Sequence, residues 1–211
     1  SKTSMIEDLM IFLDNVLEFF IILCPPEMHK ARLSAISERS VGLGQMGFRA
    51  YLQKHHVAWE SVVAKSINNK ISKFIKTASE TSNKKLLISR GACPDSLGSA
   101  TPVRLSHTLA PAPNANSSMI VGTSPSIEPY SSNAYVQESR VGSYLIKNRY
   151  LEAYFAVYAL DNEKSQVWVD DQWKSIESEN GSVQQLDWMD EHTKLVFKTA
   201  YEIDKRWVVD R

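Results

Sequence analysis

The segment with the clearest chemistry is Ala110-Pro111-Ala112-Pro113-Asn114-Ala115-Asn116-Ser117-Ser118-Met119-Ile120. Its small side chains let a ligand approach the backbone, and Asn116 or Ser117 can cap a helix beginning there. The N–H groups of a first helical turn have no internal partners and carry partial positive charge, so they converge on a place suited to an anion. The same string also serves as an ordinary loop and cap.

A second motif, Gly42-Leu43-Gly44-Gln45-Met46-Gly47, matches the G-x-G-x-x-G pattern of dinucleotide sites. That pattern works only after a buried strand, with an acidic residue about 20 positions further on. Residues 35–40 instead contain Glu38 and Arg39 and continue a helical pattern. The glycines therefore read as points where one backbone packs closely on another. His29, His55, His56, His107 and His192 are scattered, and adjacent His55 and His56 point about 100° apart on a helix, which argues against metal ligation. Cys24 and Cys93 form no C-x-x-C pair and have no activating His or Lys close in sequence, so they read as quiet thiols in a reducing compartment. Glu128, in Ser126-Ile127-Glu128-Pro129, is either an acid or base or a structural acceptor in a turn.

These residues need elements to hold them. Ser4-Met5-Ile6-Glu7 fits a capping box, and Ile6, Leu9, Met10, Leu13, Val16, Leu17 and Phe20 recur at helical spacing until Pro25-Pro26. A second, charged helix is expected over 26–39, with Pro26 in its first turn. A helical turn or two then carries Phe48, Tyr51 and Leu52 towards the core. The longest helix is expected over 61–89 with Val63, Ile67, Ile71, Phe74, Ile75 and Ala78 on one face and Gly91 as a left-handed cap. Residues 95–133 are rich in Ser, Pro, Asn, Gly and Thr, with 104–110 as their one strand. Residues 136–146 read as a hairpin turning at Gly142, 150–160 as a helix and 161–182 as a polar exposed stretch. A last helix places Val196, Ala200, Ile203 and Trp207 on one face.

At 211 residues the chain is one domain or a large piece of one, and 43% hydrophobic with 23% charged residues is the composition of a folded globular protein. Lys plus Arg and Asp plus Glu are 24 each, so no net field draws nucleic acid or anionic lipid. The apolar run 9–24 contains Asp14, Asn15 and Glu18 and is shorter than the roughly 20 apolar residues a membrane span needs, and no small-residue cleavage site follows it. No targeting signal and no membrane segment are expected.

The stretch Leu105-Ser106-His107-Thr108-Leu109-Ala110-Pro111-Ala112-Pro113-Asn114-Ala115-Asn116-Ser117-Ser118, followed by Gly122-Thr123-Ser124-Pro125-Ser126-Ile127-Glu128-Pro129-Tyr130, strongly resembles the large catalytic subunit of class I ribonucleotide reductase. Glu38-Arg39-Ser40-Val41-Gly42-Leu43-Gly44 is similar to that family's Arg-x-x-Gly-x-Gly stretch, and Arg90-Gly91-Ala92-Cys93-Pro94 to its Gly-x-Cys-Pro turn. Residues 133–148 resemble its hairpin and Asn180-Gly181-Ser182-Val183-Gln184 its Asn-Gly-Ser-x-Gln turn. Order and spacing hold over nearly the whole chain, in wording closest to the phage and marine-bacterial branch.

The resemblance implies an α/β fold: residues 1–211 as a helix-rich C-terminal portion of the family's ten-stranded α/β barrel, truncated at both ends. It implies a cytoplasmic oxidoreductase of a bacterial or phage-infected cell that reduces ribonucleoside diphosphates to deoxyribonucleotides for DNA synthesis. Substrate phosphates would bind at Pro113, Asn114, Ala115, Asn116, Ser117 and Ser118, although Asn114 and Asn116 replace the Ser and Thr of better-known members. Partners would be the remaining large-subunit segments and the small subunit, with neither nucleic acid nor membrane. No cofactor is bound by this segment, since the family's radical comes from the small subunit and its dithiol reductant and nucleotide effectors act elsewhere. No catalytic residue is expected here: the family's thiyl cysteine lies in Asn-x-Cys-x-Glu and its radical path ends in adjacent tyrosines, and the chain has neither. It reads as a truncated gene product or one chain of a split subunit, inactive alone. The competing reading is a non-catalytic helical interaction module of the same descent.

Overall fold

The computed structural model of the chain describes residues 2–139 and 142–209. Its elements in chain order are α1 (Lys2–Leu23), α2 (His29–Glu38), α3 (Phe48–Lys54), α4 (Val62–Arg90), α5 (Ala115–Val121), β1 (Ala134–Ser139), β2 (Gly142–Lys147), α6 (Arg149–Asp161), α7 (Gln166–Ser178), α8 (Glu191–Val196) and α9 (Arg206–Val209). They fall into two compact units, one of residues 1–45 with 69–112, the other of 46–68 with 113–211.

In the first unit, α1 packs Ile6 and Met10 against Ala78 and Leu86 of α4 and Leu105 of the following segment. The helix begins at Lys2, so Ser4 lies inside it rather than at its N-cap. The expected second helix is divided: Pro26–Met28 forms a 3-10 turn, α2 follows, and Arg39 ends it in a left-handed conformation at φ 48°. Met28 N–H bonds Pro25 O, the tighter i to i+3 pattern of a 3-10 turn, before α2 begins. That left-handed turn aims Arg39 at Asp14, a carboxylate with no exposed surface that also receives Arg90 (2.6 Å) and Arg104 (3.1 Å).

The helix expected over 61–89 is α4, and Gly91, at φ 82°, caps it with its N–H on Leu87 O. Of its anticipated apolar face only Ala78 is buried, while Val63 and Phe74 are exposed. The strand expected over 104–110 is reduced to one parallel bridge, Leu43 with Leu109, framed by Val41 N–H on His107 O and Ala110 N–H on Leu43 O. Parallel neighbours joined through helices are the connection an α/β barrel requires.

In the second unit the core is aromatic and aliphatic: Leu151 and Phe155 of α6, Trp173 and Ile176 of α7, Val183, Met189, and Val196 with Phe197 at the end of α8. β1 and β2 pair antiparallel from Ala134 with Lys147 to Ser139 with Gly142; residues 140 and 141 of the anticipated turn lie outside the described residues.

Two expectations for this unit are corrected. The stretch 161–182, read as polar and exposed, contains α7, capped by Ser165 and burying Trp173 and Ile176. Its inward residues Val169, Trp173 and Ile176 have helical spacing, but the acids and amides between them dilute the pattern. The single last helix is interrupted after Val196, because side chains and a distant carbonyl take the amides that would continue it. Thr199 N–H goes to the Glu202 carboxylate, Ala200 N–H to Tyr130 O and Asp204 N–H to the Glu60 carboxylate. Among the described residues no single helix is long and apolar enough to cross a membrane.

Candidate functional site

Pro113, Asn114, Ala115, Asn116, Ser117 and Ser118 come together as the entry and first turn of α5. The capping residue is Asn114, left-handed at φ 47°, and neither Asn116 nor Ser117 caps as anticipated. The Asn114 side chain makes no capping bond, and the Ser118 N–H bonds Asn114 O at 2.9 Å. The N–H groups of Ala115, Asn116 and Ser117 therefore precede the first internal bond of the helix. Ala115, Asn116 and Ser117 are exposed, whereas Ser118 is buried and donates its hydroxyl to Ala115 O.

The other end of α5 is held by neighbouring chemistry. Gly122 closes the helix at φ 69°, and Arg149 donates to Gly122 O at 2.8 Å. Buried Ser124 accepts the Ala50 N–H through its hydroxyl and the Gly47 N–H through its carbonyl, tying the following loop to the start of α3. A cavity of about 510 Å³ lies beside α5, lined by Ala115, Ser118, Met119, Tyr130, Asn148 and Arg149 among others. Tyr130, Asn148 and Arg149 were not singled out by sequence reasoning. Their signal was the position of Asn148-Arg149 at the end of a strand and the start of a helix, where Asn148 caps α6. Asn148 also donates to Asn133 Oδ1 and Gln53 Oε1, and Asn133 donates to Gly181 O and Phe197 O. This amide ladder ties the residue before β1 to the residue after β2 at the open end of the hairpin. Gly181 is required beside it, since a Cβ there would stand 2.7 Å from Asn133 N. Burial, then the neighbouring Tyr150, push the Tyr130 hydroxyl up to about 12.

The glycine motif has the packing role anticipated for it. A Cβ on Gly42 would meet Ala110 Cβ at 2.8 Å, and one on Gly44 would meet the Ala110 carbonyl oxygen at 2.5 Å. Backbone cannot swing aside as a side chain can, so Gly44→Ala should lower stability by about 1–3 kcal/mol. Gly98→Ala, with nothing within 4 Å, serves as the control and should shift the urea midpoint little. Equal midpoints for the two variants would show that this close approach does not constrain the fold.

None of the remaining candidates lines the cavity beside α5. Cys93 is buried with no exposed surface, and Cys24 is half-buried with its Sγ 3.6 Å from Met28 O. Glu128 is exposed, and His107 is exposed beside Ser106. His56 and His192 do approach, with ring centroids 5.0 Å apart. Burial, and then the nearby His192 charge, hold His56 below the usual histidine range against the opposite pull of Asp190. Among the described residues no three His, Cys, Asp or Glu side chains are grouped to hold a metal ion.

The family described as "Ribonucleotide reductase, barrel domain" matches residues 3–99 and 95–211. The chain belongs to the ribonucleotide reductase barrel family. Its fold is accordingly a helix-rich part of that α/β barrel, as the resemblance implied. The ribonucleoside-diphosphate reductase large subunit of Invertebrate iridescent virus 6 is 41% identical over 207 residues, 97% of this chain and 21% of that protein. The corresponding protein of Invertebrate iridescent virus 3 is 42% identical over 200 residues, 94% of this chain and 31% of that protein. Among solved structures, the alpha subunit of the class Id ribonucleotide reductase of Actinobacillus ureae superposes with a TM-score of 0.79 at 30% identity, covering 97% of this chain and 36% of that one. The chain thus spans about a third or less of the length of these relatives.

Proposed function

We propose that this chain supplies the substrate-phosphate loop of a ribonucleoside-diphosphate reductase large subunit, working with the remaining large-subunit segments and a small subunit. The observation that carries the reading is the start of α5: Asn114 turns left-handed, its side chain makes no capping bond, and three successive N–H groups precede the helix's first internal bond. Such a turn suits the diphosphate of a ribonucleotide, with Asn116 and Ser117 exposed to add side-chain donors. Asn114 and Asn116 supply amide donors where a hydroxyl would otherwise serve. Residues outside the chain take up the radical and the dithiol reductant, and the chain's own contribution is to bind and orient.

Ser117→Asp in the complete large subunit tests the assignment. Aspartate near a helix N-terminus suits the helix dipole, so the fold should survive, while its carboxylate would stand where the diphosphate belongs. One hydrogen bond to a charged group contributes about 1.5–3 kcal/mol. Nucleoside diphosphate affinity should therefore fall roughly ten- to a hundredfold with the melting temperature nearly unchanged. Unchanged affinity in a folded protein would mean that the phosphates bind elsewhere.

A further inference from the structure

α1 is apolar on two sides. Ile6, Met10 and Ile21 are buried on one of them. On the other, Met5, Leu9, Phe12, Val16, Phe19 and Leu23 follow one another at alternating steps of four and three residues, and all are exposed: Met5 by 57%, Phe12 by 60%, Phe19 by 65% and Leu23 by 61%. This alternation keeps side chains in one line along a helix and is the pattern by which two helices pack along a shared seam. Among residues 4–23 Asp8 is the one charged residue beside the stripe, with Asn15 following it one helical repeat later.

We propose that the stripe seats an apolar helix from the large-subunit segments outside this chain, crossing α1 at about 20° and bringing a Lys or Arg to Asp8. The inference rests on the reading of the chain as part of a reductase large subunit. Relatives matched over 94% or more of this chain devote about a third or less of their length to it, so most of the large subunit lies elsewhere and is available to cover the stripe. Charge distinguishes this occupant from two others. In an antiparallel pair of α1 helices Asp8 would face Ile22 of the second copy, and in a parallel pair Leu13, so either arrangement sets a carboxylate beside a hydrocarbon with no cation to answer it. A lipid surface prefers helices with basic flanks, and residues 4–23 contain no Lys or Arg.

The test places cysteine at Phe12 or Phe19 in a Cys24→Ser background and follows its reaction with a maleimide. The two settings are the 211-residue chain and the Invertebrate iridescent virus 3 large subunit in which this chain replaces the matched 200 residues. Labelling should be fast in the chain alone and at least roughly tenfold slower in the chimera, because a seated helix must open before the thiol reacts. Equal rates in both settings overturn the proposal. Slow labelling of the chain alone that accelerates on dilution identifies a second copy as occupant, and protection only by anionic vesicles identifies a membrane; either result also overturns it. Should the chimera fail to fold, cysteines at the aligned positions of the viral large subunit give the same readout. Nucleoside diphosphate binding to the same protein reports the α5 loop independently, so a bare stripe with intact binding counts against this inference alone.

Discussion

Incubated with a reductase small subunit, a dithiol and a ribonucleoside diphosphate, the isolated chain should form no deoxynucleotide above a no-protein control. Reduction at a ribose carbon by a radical route requires a thiol held at that carbon and a path by which the radical reaches it. The chain offers two thiols. Cys93 has no exposed surface and lies in a turn closed by its own N–H on Val103 O, while Cys24 follows α1 directly with its Sγ near Met28 O. The sequence contains no adjacent tyrosines and no cysteine in an Asn-x-Cys-x-Glu setting. Binding groups without a reacting group give affinity without turnover. Deoxynucleotide formed in proportion to the chain would overturn this assignment and point to a radical route through Cys24 or Cys93.

What the sequence made legible follows the strength of local signals. α1, α4, the β1–β2 hairpin and α6 carry strong periods or sharp punctuation, and each lies within a few residues of its expected place. Gly91 and the Gly42 and Gly44 pair were readable because a left-handed cap and a close backbone approach both demand glycine. The interruption after α8 was not, because its cause lies far away: Ala200 N–H is claimed by Tyr130 O, and Asp204 N–H by Glu60. No local propensity encodes a carbonyl 70 positions upstream. The α5 loop was legible by its small residues and its resemblance, but its capping residue was misread. A left-handed Asn114 leaves the turn uncapped, where capping statistics favour a side-chain acceptor such as Asn116 or Ser117. Arg104 opens the expected strand 104–110 and Arg90 precedes the expected cap at Gly91, and their convergence on Asp14 required the folded first unit.

That convergence sets the largest expected effect on stability. Asp14 has no exposed surface and accepts from Arg39 at 2.9 Å, Arg90 at 2.6 Å and Arg104 at 3.1 Å, while Glu18 takes a further bond from Arg39. The carboxylate joins α1 to the end of α2, the end of α4 and the segment after it. In Asp14→Ala, Arg39 and Arg104, with side chains 7% and 11% exposed, keep their charges and lose their shared acceptor. Removing one partner of a buried ion pair costs about 3–5 kcal/mol, a large share of the roughly 5–15 kcal/mol that holds a domain folded. The urea midpoint should fall steeply, with amide exchange rising first in α1. Asp14→Asn retains an acceptor without the charge and should fall between wild type and Asp14→Ala. Adding Arg104→Met to Asp14→Ala should recover part of the loss, since it removes one stranded cation. Burial alone would raise the Asp14 pKa, but the bonds from Arg39, Arg90 and Arg104 together hold it below the ordinary 3.8. A carboxyl more acidic when folded than when unfolded adds stability that is complete above the unfolded value and is lost as pH falls through the lower folded value. Acid unfolding of wild type should therefore include a component below pH 3.8 that Asp14→Ala lacks. A loss below about 1 kcal/mol for Asp14→Ala, within the range of an exposed ion pair, would show that the three arginines find other acceptors and that Asp14 does not hold the first unit together.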